Sequence, residues 1–201
     1  MSAYESCREI CGNLQQPGLA HGEAKYIDHA DLETTVDQLA IEKALLGLPW
    51  RGRNLLHVGT GNSRLARRFA GELRLIDGVT ICEREIDLAK ALRIGNYTVH
   101  YLNKYGRDFL VHLRNRYDYV VDNNMASFVC CRYHFYRLLD NYLGVLNPGG
   151  RILTDQRGMD WTVDEPRWRL TYQDLRDLER TFPLRVSRLA ETVYALQSSE
   201  T

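Results

Sequence analysis

The sequence lacks an excess of charge of either sign. Its 201 residues include 26 lysines and arginines and 26 aspartates and glutamates, so the formal net charge is zero. Domains that bind nucleic acid usually carry a strong positive charge along one surface. The balance therefore argues against nucleic acid as the partner, although it leaves room for a local basic patch.

Long apolar runs, a signal peptide and a disulfide framework are also missing. No apolar run comes near the roughly 20 residues that cross a membrane, and no leader sequence opens the chain. The five cysteines are an odd number, which favours a reducing compartment. We therefore expect a cytoplasmic localisation and no membrane partner. The length suits one domain, without repeats or low-complexity tracts.

The first thirty residues contain no recognisable metal site. Cys7 and Cys11 are four residues apart, and His21 and His29 follow, but a zinc site needs more ligands at close spacing. A third cysteine is absent near position 14, so a radical-cluster motif also fails. We therefore predict no metal in this region.

The most informative stretch predicts a strand, a glycine turn and a helix in succession. Leu55–Val58 is a short apolar run typical of a buried parallel strand. Gly59 and Gly61 then permit a tight turn and the close approach of a ligand to the backbone. Leu65 and Phe69, four residues apart, give the next segment an apolar helical stripe. Such a unit is a common nucleotide-binding element.

A carboxylate follows the next predicted strand at a suggestive distance. Glu83 comes directly after the strand 79–82 and 24 residues after Gly59. An acid at this spacing can accept hydrogen bonds from both ribose hydroxyls of a nucleoside. The glycine turn and the acid together predict a nucleoside-binding α/β domain.

Periodicity along the whole chain predicts alternating strands and helices. The predicted strands cover 55–58, 79–82, 97–102, 117–121, 151–154, 184–189 and 192–196. Besides the helix after Gly61, helices are predicted over 34–48, 86–94, 108–113, 135–146 and 171–182.

The motifs occur in an order that resembles class I S-adenosylmethionine-dependent methyltransferases, over about residues 50 to 197. The matching runs are Val-Gly-Thr-Gly-Asn-Ser (58–63), Ile-Cys-Glu-Arg-Glu (81–85), Tyr-Asp-Tyr-Val-Val-Asp-Asn-Asn (117–124) and Leu-Asn-Pro-Gly-Gly-Arg-Ile-Leu (146–153). The chain departs from the family at His57, where an acid is usual, and at Ser63, where a third glycine is common.

The resemblance implies a Rossmann-like three-layer α/β sandwich. Its seven-stranded, mostly parallel sheet would end in a C-terminal antiparallel hairpin. Residues 1–50 would form a helical lead-in that caps the site, and 51–201 the S-adenosylmethionine-binding domain. The implied function is O- or N-methylation of a small-molecule acceptor, with S-adenosylhomocysteine as the product. A homodimer is left open.

The same resemblance assigns cofactor-binding residues. Gly59 and Gly61 would line the methionine part, Glu83 the ribose and Asn103 the adenine, with a turn asparagine as the equal alternative for Asn103. The full predicted set is His57, Gly59, Thr60, Gly61, Glu83, Arg84, Asn103 and Asp122. At His57, imidazolium would repel the cofactor's ammonium group, so we expect binding to weaken as pH falls through the titration of this residue. The alternative is a buried strand histidine without a cofactor role.

Polar residues after the fourth predicted strand are the candidates for catalysis, because ligands lie beyond the carboxyl ends of such strands. Asp122, Asn123 and His134 are the predicted catalytic residues, with Asp122 orienting or deprotonating a nucleophile. A helix-capping Asp122 and a structural His134 are the alternatives. The predicted substrate-binding residues are Tyr26, His29, Asn124 and Trp161.

A magnesium site is a less favoured option. Asp122, Asp155 and Gln156 resemble the ligand layout of catechol-type O-methyltransferases, with Gln in place of Asn. Because amide ligands are permissive, our predicted site contains no metal.

Two other functions remain open at this stage. The Cys-Glu run, Asp122 and the later Gln156 and Trp161 also resemble spermidine synthases, which transfer an aminopropyl group. That family's richer glycine motif and its second acidic run are absent. His57 and Ser63 motivate the other alternative, a non-catalytic nucleoside-binding or scaffold protein.

Overall fold

The computed structural model describes residues 28–113, 116–129, 132–160 and 169–199. Helices and strands alternate along the chain, as the periodicity predicts. The helices are α1 (Val36–Leu45), α2 (Arg64–Phe69), α3 (Glu83–Ala91), α4 (Phe109–His112), α5 (Arg132–Val145), α6 (Gln156–Asp160) and α7 (Tyr172–Asp177), and a 3-10 turn covers Leu178–Arg180. The strands are β1 (Asn54–Val58), β2 (Leu75–Thr80), β3 (Tyr97–Tyr101), β4 (Tyr117–Val121), β5 (Leu146–Asp155), β6 (Leu184–Arg188) and β7 (Val193–Ser198).

The strands form one sheet in the order β3-β2-β1-β4-β5-β7-β6. The pairs from β3 to β5 are parallel, and β7 lies antiparallel between β5 and β6. This confirms the predicted mostly parallel sheet with a C-terminal hairpin. The strand order reverses between β1 and β4, and open α/β sheets bind ligands beyond the carboxyl ends of strands at such a reversal.

Helices cover both faces of the sheet and complete the three predicted layers. Leu55 and Leu56 are neighbours on β1 but belong to two different apolar clusters, because successive strand side chains point to opposite faces. Leu138 of α5 packs in the cluster of Leu56, and Ile41 of α1 packs in that of Leu55. The described part of the predicted lead-in segment is thus packed onto the sheet.

The boundary between β2 and α3 differs from the prediction. β2 ends at Thr80, and Thr80 Oγ1 accepts a hydrogen bond from the backbone N–H of Cys82 at 3.1 Å. This bond turns the chain, so Glu83 is the first residue of α3 rather than the tip of a strand. Local side-chain bonding of this kind competes with extension of the strand.

The Asn-Pro-Gly-Gly run lies inside β5 rather than in a turn before it. Gly149 has φ +71°, and a Cβ added at Gly150 would lie 2.8 Å from the carbonyl oxygen of Asn147. The pairing with β4 shifts register between Tyr117 and Tyr119. Glycine is therefore required here by backbone conformation and by close approach.

Among the described helices, none combines the length and the apolar character needed to span a membrane.

Candidate functional site

Two cavities open where β1 and β4 end, at the reversal of strand order. Their volumes are about 310 and about 110 Å³. Four residues border both cavities, namely Gly59, Asn123, Ser127 and Phe128. The cavities are therefore adjacent halves of one site, lying between the loop after β1 and the loop after β4.

The glycine turn after β1 forms the border between the two halves. Gly59 has φ +75° and Gly61 has φ +49°, both in the left-handed region that favours glycine. A Cβ added at Gly59 would meet no protein atom within 4 Å, so the backbone here faces open space. A Cβ at Gly61 would lie 3.4 Å from Cβ of His29. The turn thus leaves the backbone of Gly59 facing open space, while Gly61 packs against His29 of the lead-in segment.

The smaller cavity is an apolar slot with polar groups along one edge. Its apolar walls are Val58, Val79, Ile81 and Leu102. Asn103 borders it and uses Oδ1 to accept a hydrogen bond from the backbone N–H of Tyr105 at 2.9 Å. Asn103 therefore borders the slot, and its side chain also closes a turn with the backbone of Tyr105.

The carboxylate that faces the site is Glu85, not Glu83. Glu85 is 1% exposed, borders the larger cavity and accepts hydrogen bonds from Thr80 Oγ1 at 2.6 Å and Thr60 Oγ1 at 3.1 Å. Glu83 is exposed and borders neither cavity. The two differ because Glu83 opens α3, whereas Glu85 lies two residues into it and points towards the glycine turn.

Arg84, also predicted to bind the cofactor, points away from both cavities. It is exposed and donates hydrogen bonds to the carboxylates of Asp28, at 2.7 Å, and Asp31. Its guanidinium therefore fastens the lead-in segment to the start of α3.

Residues that precede β1 form one wall of the larger cavity. His29, Asp37 and Gln38 line it, and Asn62 Nδ2 donates to the carbonyl of Leu32 at 2.8 Å. His29 is thus placed where the sequence predicts a substrate contact. Two further predicted substrate contacts, Tyr26 and Trp161, lie outside the described residues.

Three buried side chains on the larger cavity carry polar atoms without hydrogen-bond partners in the described part of the chain. They are Gln38 (Nε2), His57 (Nδ1) and Asn124 (Nδ2 and Oδ1), and they are 8%, 3% and 6% exposed. Leaving such a group unpaired costs about 1–3 kcal/mol. Their concentration around one cavity indicates a surface built to bond a polar ligand.

His57 is neutral over the physiological range of pH. Its side chain is buried at the end of β1, and burial lowers its pKa from 6.5 to about 4. The neutral ring offers one donor and one acceptor. His57 Nδ1 is therefore free to hydrogen-bond a ligand within the described part of the chain, without the positive charge that the sequence-based prediction considered.

Asp122 is already paired beneath the site. Oδ2 accepts hydrogen bonds from Lys104 Nζ at 3.0 Å and from Tyr142 Oη at 2.6 Å, and Oδ1 accepts from the N–H of Asn124 at 3.1 Å. Lys104 also donates to Ser127 Oγ at 2.9 Å and to the carbonyl of Asn124 at 2.8 Å. This network fixes the loop after β4.

Burial shifts the pKa values of three groups around Asp122, namely Lys104, Tyr105 and Tyr142. Burial lowers the pKa of Lys104, against the opposing attraction of Asp122. Burial and the charge of Asp122 raise the pKa values of Tyr105 and Tyr142 well above 10. Both tyrosines are therefore hydrogen-bond donors at neutral pH.

The two other predicted catalytic residues lie in different places. Asn123 borders both cavities, and its Nδ2 donates to Oδ2 of Asp37. His134 is buried on α5, with its ring centroid 5.6 Å from that of Tyr133, and it borders neither cavity. The structure therefore does not bring His134 together with the other candidates.

The acidic residues considered for magnesium each hold another group. Asp122 is paired with Lys104, and both carboxylate oxygens of Asp155 accept bonds from Arg157, at 3.2 and 3.3 Å. Gln156 starts α6 and donates to Asp160. These three side chains are therefore committed to protein partners.

Sequence reasoning missed four residues of the site, namely Asp37, Gln38, Glu85 and Lys104. Asp37 and Gln38 belong to the predicted helix over 34–48, but no pattern distinguishes its site-facing positions. Glu85 is the second glutamate of the Cys-Glu-Arg-Glu run, and a strand ending at Thr80 would have pointed to it. Lys104 carries no signal, since its pairing with Asp122 exists only in three dimensions.

Comparison with solved structures gives the fold. No protein-family model and no curated protein match the chain. The N-methyltransferase NodS from Bradyrhizobium japonicum WM9, in complex with S-adenosylhomocysteine, superposes with a TM-score of 0.62 at 14% identity, over 98% of this chain and 97% of NodS. The chain has the fold of the class I S-adenosylmethionine-dependent methyltransferases.

Two further structures with this methyltransferase fold differ in what their names say they act on. Magnesium protoporphyrin IX methyltransferase (ChlM) from Synechocystis PCC 6803, with bound S-adenosylmethionine, gives a TM-score of 0.59 at 13% identity, covering 98% of this chain and 92% of ChlM. An rRNA methylase from Streptococcus thermophilus gives 0.56 at 10% identity, covering 84% and 99%. The fold is thus compatible with different acceptors.

Ser63, at the position where the sequence departs from the family's third glycine, adopts a left-handed backbone conformation. It has φ +57°, in the left-handed region, and Oγ lies 3.1 Å from Tyr97 Oη. A non-glycine residue there costs roughly 1–2 kcal/mol. The hydrogen bond to Tyr97 offsets part of that cost, so the departure at Ser63 preserves the loop.

Proposed function

We propose that the protein is an S-adenosylmethionine-dependent methyltransferase that acts on a small-molecule acceptor. The observation that carries this proposal is the pair of cavities that meet at Gly59, at the reversal of strand order. A small apolar slot for a heterocycle adjoins a larger space whose mostly apolar walls carry several unpaired polar atoms, as a nucleoside linked to an amino acid requires. The bound cofactors named for NodS and ChlM support the same ligand.

Each half of the site would hold a different part of the cofactor. Asn103 and the apolar slot take the adenine, Glu85 faces the ribose, and the turn Gly59–Gly61 approaches the methionine part. His57 replaces the acid usual in the family and offers a neutral hydrogen bond to the amino-acid end. The orphaned Nδ1 of His57 and the open space beside Gly59 support this fit.

The bound cofactor would supply an activated methyl group on a sulfonium centre. The protein's residues then contribute alignment, which is worth several kcal/mol in such transfers. The loop after β4, fixed by Lys104 and Asp122, holds Asn123 and Asn124 against the acceptor side. Asp122 thereby acts as a positioning residue.

The acceptor is a small molecule methylated on oxygen or nitrogen. The zero net charge and the limited volume of the larger cavity, about 310 Å³, favour it over nucleic acid. The name of NodS, an N-methyltransferase, supports nitrogen among these acceptors.

Calorimetry with three ligands tests the proposal. S-adenosylmethionine and S-adenosylhomocysteine should both bind, and decarboxylated S-adenosylmethionine should bind at least tenfold more weakly. Tighter binding of the decarboxylated form would favour aminopropyl transfer. Failure of all three to bind would contradict a cofactor role for the site.

A further inference from the structure

The wall of the larger cavity formed by α1 carries a buried carboxylate. Asp37 is 8% exposed, and its Oδ2 accepts a hydrogen bond from Nδ2 of Asn123. The guanidinium of Arg157, on the same cavity, is bonded to both oxygens of Asp155 and to Thr192. Asp37 contributes to the raised pKa of Arg157, but less than Asp155 does. Its hydrogen-bonded partner is thus an amide rather than a cation.

Two orphaned amides accompany this carboxylate. Gln38 follows Asp37 on α1, and Asn124 follows Asn123 after β4. The amide nitrogen of Gln38 and both polar atoms of Asn124 find no hydrogen-bond partner within 28–113, 116–129, 132–160 and 169–199. Both side chains are more than nine-tenths buried and border the larger cavity. These atoms indicate a polar ligand in direct contact.

The charges around this cavity favour a cation over an anion. Three carboxylates border it, those of Glu33, Asp37 and Glu85. Arg64 and Arg157 also border it, but Arg64 is bound to Glu42, at 3.4 Å, as Arg157 is to Asp155. Glu42 is shared with Arg68, at 2.9 Å, so it offsets the charge of Arg64 only in part. The three carboxylates still outnumber the two guanidinium groups on the cavity and give its lining a net negative charge.

We propose that the acceptor is a small amine and that Asp37 binds its nitrogen, with Gln38 and Asn124 bonding its other polar groups. This assignment rests on the proposed methyltransferase function. The amine arrives as an ammonium ion and gives one proton to the carboxylate of Asp37. Its lone pair then forms the new N–CH₃ bond while the S–CH₃ bond breaks and leaves its electron pair on sulfur. The proton on Asp37 then passes to water, so the carboxylate is regenerated and the products are the methylated ammonium ion and S-adenosylhomocysteine.

Three matched probes test this proposal on protein saturated with S-adenosylhomocysteine. The probes are 2-phenylethylamine, 2-phenylethanol and phenylacetate, which share a ring and differ in the terminal group. Their affinities are measured by ligand-detected NMR for the wild type, Asp37→Asn and Asp87→Asn, the last being an exposed aspartate on α3. The amine should bind at least tenfold more tightly than the other probes. Asp37→Asn should remove that preference, and Asp87→Asn should keep it.

The titration with S-adenosylhomocysteine separates the acceptor assignment from the cofactor site. If it binds but the amine shows no preference, or if Asp37→Asn keeps the preference, the amine assignment is overturned while the cofactor site stands. If S-adenosylhomocysteine does not bind the wild type, the proposed function and the acceptor assignment both fall. Should Asp37→Asn not fold by circular dichroism, Gln38→Met removes the neighbouring orphaned donor. It should weaken amine binding at least threefold, and unchanged binding overturns the proposal.

Discussion

Nζ of Lys104 lies 3.0 Å from Oδ2 of Asp122, in a buried ion pair at the floor of the site. The sequence alone suggested Asp122 as the group that activates a nucleophile. The pair explains why it instead organises the loop after β4.

We expect the Lys104–Asp122 pair to matter more for stability than its surface counterparts. Removing one partner of a buried pair typically costs about 3–5 kcal/mol, because the other charge stays buried and unpaired. Asp122→Asn should therefore lower the free energy of unfolding in urea by about 3 kcal/mol or more. Lys104→Met/Asp122→Asn should lose less than the sum of the two single variants.

Asp87→Asn, on the exposed face of α3, is the control for this measurement. It should change the free energy of unfolding by less than about 0.5 kcal/mol. Equal losses for Asp122→Asn and Asp87→Asn would show that the buried pair does not stabilise the fold.

Glu85 and Glu83 form a natural pair of variants for the ribose contact. Glu85→Gln keeps the shape of a side chain that faces the site, and Glu83→Gln changes an exposed one. A charge-assisted hydrogen bond is worth about 1.5–3 kcal/mol. Glu85→Gln should therefore weaken S-adenosylhomocysteine binding about tenfold or more in calorimetry, with Glu83→Gln unchanged. The opposite pattern would restore the assignment made from sequence spacing.

His57 should leave cofactor binding independent of pH between 5.5 and 8. Its pKa of about 4 in the folded protein keeps the ring neutral over this range. Calorimetry at several pH values should give overlapping affinities for the wild type and for His112→Asn, which changes an exposed imidazole. A decline towards pH 5.5 that His57→Asn abolishes would instead support the titration predicted from sequence.

The same shift makes His57 a source of acid instability. The unfolded chain binds a proton near pH 6.5 that the folded protein takes up only near pH 4, so this contribution is present above pH 6.5 and is lost as pH falls towards 4. The difference amounts to about 3 kcal/mol. His57→Asn should flatten the pH dependence of the unfolding free energy in that window, and a wild-type slope in the mutant would contradict the burial argument.

Gly59 tests whether the turn must present bare backbone to a ligand. Its φ of +75° and the open space that an added Cβ would enter predict that Gly59→Ala strains the turn and projects a methyl group into the site. S-adenosylhomocysteine should bind at least tenfold more weakly. Gly95→Ala, where an added Cβ also meets nothing within 4 Å but φ is ordinary, should bind normally. Equal binding by both variants would remove the turn from the site.

The sequence predicted the number and order of the strands because each contains a short apolar or alternating run bounded by turn residues. It placed Gly59, Gly61 and Asn103 beside the cavities for the same reason, since each lies just beyond the end of a strand. It predicted Glu83 rather than Glu85 at the site. The hydrogen bond from the N–H of Cys82 to Thr80 Oγ1 ends β2 at Thr80, and no periodicity in the sequence indicates this bond. Asp37 and Lys104 could not be found, since their roles depend on side chains distant in sequence.

The location of S-adenosylhomocysteine is the most direct test of the whole account. Hydrogen–deuterium exchange, followed by mass spectrometry with and without this ligand, reports which backbone segments become protected. Protection should appear in the loops after β1, β3 and β4, around Gly59, Asn103 and Asn123, and not in the hairpin of β6 and β7. Protection confined to that hairpin, or none at saturating ligand, would contradict a cofactor site at the reversal of strand order.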